Sequence, residues 1–338
     1  MPLHQPTTAQ LTQVSQPLSG NGLTSQFLQD VIRGLSQPVK QLSSQYFYDG
    51  EGSRLFRKIM HLPEYYLTAC EREVFTTHQQ TIATQLAAAG PFQLIDLGAG
   101  DGLKTKIILR QLLQQKAVVE YVPVDISGDA MVDLSESLQQ ELPELPVHAV
   151  VGDYFSALEW ICNTQKGRKV LFFLGSNIGN FSPEDRTAFM QRVSAYMQPG
   201  DLLLVGMDLR KDPDIILRAY NDASGVTAAF NLNLLTRINR ELGGNIQLGQ
   251  FRHFPLYDPQ QGVMRSYLVS LQEQEIQLEA CQQTFRLGAW EAIHTENSYK
   301  FTLSQPAELG DTCNLKTAGM FMDKKAYFAD VLFTPHLP

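Results

Sequence analysis

Cysteine is scarce in this chain: four residues in 338, Cys70, Cys162, Cys281 and Cys313, stand far apart and form no CxxC pair. That scatter gives no support to a compact thiolate metal site and predicts free thiols, mostly buried. The seven histidines form no metal-ligand word either, so no metal is expected; His294 is expected to pack or to lie at the surface. Positive charge is also short, with 27 Lys plus Arg against 35 Asp plus Glu and a formal net charge of -8. Such a balance disfavours a nonspecific grip on phosphate backbones or anionic lipid, so neither nucleic acid nor a membrane is an expected partner. No early basic segment leads into an apolar core and no run is long enough to cross a bilayer, which makes the cytoplasm the expected location.

What the chain does have is a 43% hydrophobic composition over a length that favours two modules over one. Residues 1–20, rich in Gln, Ser, Thr and Pro, predict a loose arm or one ordered only by docking. Helical spacing begins near Ser25 with Phe27, Leu28, Val31, Ile32 and Leu35, and a short helix over 53–60 is stopped by Pro63. A long helix over 68–88 then leads into a buried strand over 92–97. Further apolar runs at 118–124, 147–151, 170–174 and 202–207 alternate with helices near 104–113, 128–139 and 183–196. This alternation predicts an α/β layer around a mainly parallel, doubly covered sheet.

After Met207 the rhythm changes. A helix-forming stretch over 215–240 is followed by strand-like runs at 253–256 and 264–271 around a turn at 258–262, then at 285–287 and 299–303. These do not continue the βαβ series and predict a second module, which the N-terminal aromatic region is expected to join. The last runs, 318–322 and 327–333, can return two strands to the first sheet. The expected division is 1–62 with 208–303 for one module and 63–207 with 304–338 for the other.

The sharpest local signal is Leu94-Ile95-Asp96-Leu97-Gly98-Ala99-Gly100-Asp101-Gly102, a strand entering a Gly-rich turn before a helix. Ligands of open α/β sheets sit beyond the carboxyl ends of strands, where Gly permits close backbone approach. A dinucleotide fingerprint would place a third Gly where Leu103 stands, so nicotinamide binding is disfavoured. Asp125 follows the next strand and can accept both hydrogen bonds from a ribose diol. Asp153 can accept from an adenine amino group with Tyr154 beside the ring, although an acid there also serves as a helix cap. The Gly175-Ser176-Asn177-Ile178-Gly179-Asn180 loop follows the fourth strand of the series.

Several words in family order resemble the histidine Nα-methyltransferase family of ergothioneine biosynthesis. They are Tyr46-Phe47-Tyr48-Asp49, Gly52-Ser53-x-Leu55-Phe56, Leu62-Pro63-Glu64-Tyr65-Tyr66, the Gly98–Gly102 loop and Tyr121-Val122-Pro123-Val124-Asp125-Ile126-Ser127. Gly175–Asn180, Tyr220-Asn221-Asp222, Val226-Thr227-Ala228-Ala229-Phe230-Asn231 and Thr295-Glu296-x-Ser298-x-Lys300-Phe301 complete the set. Asn297 and Tyr299 depart from the pattern inside the last word, and the tail around 320–329 departs from the usual family ending.

The resemblance implies a class I methyltransferase with a Rossmann-like sheet and a second, discontinuous α+β substrate-binding domain. It implies S-adenosylmethionine (SAM) as cofactor, held by Gly98, Gly100, Lys104, Asp125, Asp153, Tyr154 and Gly175, with S-adenosylhomocysteine as product. Free L-histidine is the implied substrate, converted by successive α-amino methylations to hercynine. Asn180 and Tyr220 are implied for its carboxylate, Tyr65, Glu296 and Ser298 for its imidazole, with Met264 on the substrate side. Tyr48 and Phe56 are implied around the α-amine, where a phenolic oxygen can orient the lone pair and an aromatic face tolerates a methylated cation. A monomer is the expected state. An N-methyltransferase of another amino acid, such as one bearing an indole, and a non-catalytic SAM-binding sensor are the alternatives left open by sequence.

Overall fold

The structure, a computed structural model, describes residues 10–14 and 21–336. In chain order it runs β1 (Gln10–Gln13), α1 (Asn21–Ser36), α2 (Gly50–Ile59), α3 (Tyr66–Ala87), β2 (Phe92–Leu97), α4 (Thr105–Gln114) and β3 (Val119–Asp125). Next come α5 (Gly128–Glu141), β4 (His148–Val151), α6 (Tyr154–Thr164), β5 (Lys169–Phe173), α7 (Pro183–Ser194) and β6 (Leu202–Asp208). The chain continues with α8 (Pro213–Ala219), α9 (Val226–Leu242), β7 (Phe251–Asp258), β8 (Val263–Ser270), β9 (Gln274–Leu278) and β10 (Gln283–Leu287). It finishes with β11 (Ala292–Tyr299), α10 (Gln305–Thr312), β12 (Leu315–Met322) and β13 (Phe328–Pro335). The contacts divide it into a first unit, Met1–Pro17 with Ala69–Leu209 and Phe301–Pro338, and a second unit, Leu18–Thr68 with Arg210–Lys300.

The first unit is built on an eight-stranded sheet of order β1-β4-β3-β2-β5-β6-β13-β12. Strands β1 to β6 are parallel, and the β12–β13 hairpin adds an antiparallel edge through β13 against β6. Both faces are covered, which is why the strands read as continuous apolar runs rather than alternating ones. Leu94, Val170 and Phe172 pack into one cluster with Val74, Ile82 and Leu109. Their neighbours Ile95, Leu171 and Phe173 pack into the other with Leu158, Ile161 and Met190. The result is a Rossmann-like α/β sheet with an antiparallel edge.

Two features of this unit differ from the sequence expectation. Of the stretch expected as a loose arm, residues 1–9 and 15–20 lie outside the described residues, while Gln10–Gln13 form β1, paired in parallel with β4. A four-residue strand with a single large apolar side chain gives no periodicity to read, and its register rests on backbone bonds plus Thr12 Oγ1 to His148 Nε2 at 2.8 Å. Helix α6, Tyr154–Thr164, is the other, absent from the expected helices and capped by Asp153.

The second unit packs α1, α2 and α9 with a three-stranded antiparallel sheet of order β11-β8-β7 and a β9–β10 hairpin. Phe27, Val31 and Leu35 of α1 meet Phe230, Leu234 and Ile238 of α9 in one core. The helix-forming stretch 215–240 is interrupted at Tyr220 because Asp222 turns its carboxylate onto the N–H groups of Val226 and Thr227 and starts α9 afresh. Strand β11 lies upstream of the strand expected at 299–303, sharing only Tyr299 with it, and Phe301 instead packs in the first unit. Among the described residues no helix is long and apolar enough to cross a membrane.

Asp49 ties this unit together. Its carboxylate caps α2 through the Gly52 N–H and accepts from Asn233 Nδ2 and Arg240 of α9, each at 2.7 Å. Burial works against its charge, but these donors hold its pKa below the usual carboxylate range. Replacing Asp49 by Ala removes a cap and leaves Asn233 without that acceptor, so Asp49→Ala should lower unfolding free energy by about 2 kcal/mol in urea titration. An unchanged midpoint and slope would contradict the role.

Candidate functional site

In the first unit the chain leaves β2 toward β3 and β4 on one side and reaches β5 and β6 on the other, so the strand order reverses between β2 and β5. The loops after these two strands must diverge there and leave a crevice beyond the carboxyl ends. Gly98, φ +78°, turns the chain out of β2, and a Cβ on it would come within 3.1 Å of Tyr154 Oη. A residue without a side chain suits both the left-handed backbone and that approach. Beneath it, Asp96 accepts from Thr105 Oγ1 at 2.6 Å and Tyr121 Oη at 2.9 Å, with burial pushing its pKa up to about 6.

Asp125 closes β3 with its two carboxylate oxygens divided between loops. Oδ2 accepts from the Gly100 N–H at 3.2 Å and Oδ1 from the Ser127 N–H at 3.0 Å. Each oxygen keeps capacity for a further donor. Burial raises its pKa against the pull of those backbone donors. Asp153 caps α6, Oδ1 accepting from Phe155 N–H at 3.1 Å and Ser156 N–H at 3.0 Å, so the capping alternative is what these contacts describe. Tyr154 packs its ring on Phe173 and Phe189, and its burial drives the phenol pKa upward.

Lys104 precedes α4 and forms an ion pair with Glu71 of α3, a residue not singled out from sequence. Glu71 is 1% exposed, and its second oxygen accepts the Gly175 N–H at 2.7 Å. A Cβ on Gly206 would lie 2.5 Å from that oxygen, so the missing side chain on β6 is what admits the carboxylate. Asp330 stands opposite Gly206 in the ladder, fully buried and with neither carboxyl oxygen hydrogen-bonded. Burial and the charge of Glu71 push its pKa well above the carboxylate range, against the pull of Lys104, and hold it as the neutral acid. The available signal was a charged residue inside an apolar face: Glu71 beside Cys70, Val74 and Phe75, and Asp330 within the buried β13 run.

After β5, Gly175 and Ser176 adopt left-handed backbone, and Ser176 Oγ accepts the Asp208 N–H at 2.9 Å, tying the loop to β6. Asn180 ends the short turn Asn177–Asn180, half-buried, in the first unit. The other residues proposed from sequence for the substrate lie in the second unit.

There the rings form a rail. Tyr48 meets Phe56 edge-on at 5.4 Å, Phe56 meets Tyr65 at 6.3 Å, and Tyr65 meets Tyr220 at 6.2 Å. Phe230 of α9, not proposed from sequence, closes on both Tyr48 and Phe56 at 5.7 and 5.8 Å. Tyr48 is 42% exposed, whereas Tyr220 and Met264 are buried together beside Leu67. Strand alternation then sorts the last family word. Ser298 pairs with Met264 and Glu296 with Ser266, two residues apart and on one face. Asn297, a departure from the family pattern, falls on the opposite face and bonds His294 Nε2 at 3.1 Å across a bulge. Burial pushes the Glu296 carboxyl up to about 7 against the pull of Lys300. Lys300, named in the family word but given no site role, donates to Tyr220 Oη and Ser298 Oγ, each at 2.8 Å.

Two sites of different character result. The first unit offers a glycine-lined crevice with Asp125 and an ion pair between buried Glu71 and half-buried Lys104. The second offers an aromatic rail ending in a carboxyl, two hydroxyls and an ammonium. All four cysteines are free, and among the described residues no group of His, Cys, Asp and Glu is arranged to hold a metal ion.

The profile of a family described as "Histidine-specific methyltransferase, SAM-dependent" matches residues 27–335. A histidine N-alpha-methyltransferase of Mycolicibacterium smegmatis is 35% identical over 84% of this chain and 87% of that protein. One from Mycobacterium tuberculosis is 35% identical over 86% of this chain and 88% of that protein. An L-tryptophan methyltransferase of Psilocybe serbica is 25% identical over 91% of this chain and 92% of that protein.

The neutral state of Asp330 generates a pH prediction. Its folded-state pKa lies above the value in the unfolded chain, so its stability contribution is full below the unfolded pKa and is lost as pH rises through the folded one. Asp330→Asn keeps the shape but cannot ionise. The melting temperature of the variant relative to wild type should therefore rise as pH is raised above the ordinary carboxylate range. A difference that stays flat or shrinks over that rise would contradict the assignment.

Proposed function

This chain belongs to the SAM-dependent methyltransferase family described as histidine-specific, and from that premise we propose that it methylates the α-nitrogen of L-histidine in successive steps to the trimethylated betaine hercynine. The observation that carries the substrate is the β11 face, where Glu296 and Ser298 stand two residues apart beside the Tyr220 hydroxyl. An ionised Glu296 accepts from one ring N–H of a neutral imidazole, and a hydroxyl donates to its other nitrogen. An indole ring has an N–H and no second ring nitrogen. A tryptophan-type acceptor remains the second reading because of the relative that methylates L-tryptophan.

The first unit fits the cofactor on its own chemistry. Gly98 keeps the crevice open where a Cβ would crowd Tyr154, and Asp125 retains acceptor capacity for a ribose diol. Gly100, Gly175, Lys104, Asp153 and Tyr154 complete the proposed cofactor contacts. When bound, SAM supplies an electrophilic methyl group and a good leaving group. The chain's work is then to align a neutral amine with that methyl group and to keep it aligned through repeated transfers.

Asn180 is the proposed donor to the substrate carboxylate, with Tyr65 beside the imidazole and Met264 in the wall; Tyr220, implied by the resemblance for the carboxylate, instead engages Ser298 through its hydroxyl. Tyr48 and Phe56 flank the amine: the phenolic oxygen orients the lone pair, and the rings accept the growing methylammonium after its N–H donors are gone. Each transfer releases a proton, and loss to water is the proposed route. The methyl transfer needs no metal step.

Incubation of the purified protein with SAM and each common free amino acid, read by mass spectrometry, tests the proposal. Mono-, di- and trimethylhistidine should appear in sequence. Exclusive modification of another amino acid would overturn the substrate.

A further inference from the structure

Lys300 is 2% exposed, and an ammonium removed from water is tolerated only when its hydrogens are bonded. Two of its bonds go to Tyr220 Oη and Ser298 Oγ at 2.8 Å, and those oxygens are themselves 2.8 Å apart. The three groups close a triangle, with Nζ 4.7 Å from the Tyr220 ring centre. An ammonium carries no lone pair, so both oxygens must accept from it and neither hydroxyl hydrogen can point at Nζ. One of the two hydroxyl hydrogens is spent on the bond between the oxygens. The other must leave the triangle as a donor.

Without the cation either hydroxyl could rotate and offer a lone pair instead. With it, the pair is fixed as a donor, and on the same face Glu296 is the acceptor. We propose that Lys300 is a positioning residue that fixes the donor direction of the Ser298–Tyr220 pair and so selects a side-chain ring carrying one N–H and one bare nitrogen over a ring carrying an N–H alone. The inference rests on the amino-acid reading of this face. It adds a determinant outside the residues proposed to touch the ring.

The test is calorimetric titration of the full chain, saturated with S-adenosylhomocysteine, with each common free amino acid. Wild type, Lys300→Met, Lys300→Arg, Ser298→Ala and the Lys300→Met/Ser298→Ala double variant are compared. The wild-type profile tests the histidine reading alone. The variant-to-wild-type ratio tests Lys300 on whichever amino acid binds. Lys300→Met should weaken histidine binding roughly 10- to 100-fold, the span of a lost charge-assisted hydrogen bond. The histidine-to-tryptophan preference should fall with it, and the double variant should bind histidine no worse than the weaker single variant. Lys300→Arg, which keeps the cation, should hold the preference within a few-fold of wild type, on the order of the context spread of one such bond. A Lys300→Met variant that keeps the wild-type preference would overturn the proposal. So would a Lys300→Arg variant, folded by circular dichroism, that loses it, and this arm stands where Lys300→Met fails to fold. A merely structural role would lower all affinities together and leave the preference unmoved, which also counts against it.

Discussion

The first unit turns on a single buried carboxylate. Glu71 is held out of water on α3, and a carboxylate there costs several kcal/mol unless its oxygens are bonded. One oxygen pairs with Lys104 at the end of the β2 loop and the other accepts the Gly175 N–H at the end of β5. The two loops that diverge at the reversal of strand order are therefore fastened to one side chain. Gly206 makes room for it, and Asp330 stays neutral because a second bare charge beside Glu71 would face the same desolvation and a repulsion as well.

The second unit solves a different problem with strand periodicity. A period of two places Glu296 and Ser298 on one face of β11, and the bulge before Glu296 lets His294 and Asn297 meet on the other. The departures from the family word thus fall away from the face that carries the acid and hydroxyl. The rings from Tyr48 to Tyr220 come from α2, its flanking loops and the break between α8 and α9. Asp49 and Asp222, each spending a carboxylate on a helix start, hold those segments in place.

The parallel strands were legible in the sequence because each is apolar on both faces and bounded by turns; the β2 run and its glycine loop fall where the pattern put them. Strand β1 was not, since Gln10, Thr12 and Gln13 carry no apolar signal. Helix α6 was hidden because an acid in the position of its cap, Asp153, is equally open to a ligand-binding reading. The break at Tyr220 was masked by good helix formers on either side. Glu71 and Asp330 lie far apart in the chain and meet at Gly206 of β6, which makes room for the one and pairs with the other. Residues that act locally, as caps and turns do, can be found by spacing, whereas a buried charge is found through what it is folded against.

The central claim is that Glu71 holds the cofactor crevice by fastening Lys104 to Gly175. Glu71→Gln keeps the size and an acceptor for the Gly175 N–H but removes the charge. Calorimetry with S-adenosylhomocysteine should show affinity lowered roughly 10-fold or more while unfolding stays cooperative, the expected cost of losing a charge-assisted contact. Wild-type affinity in the folded variant would contradict the account.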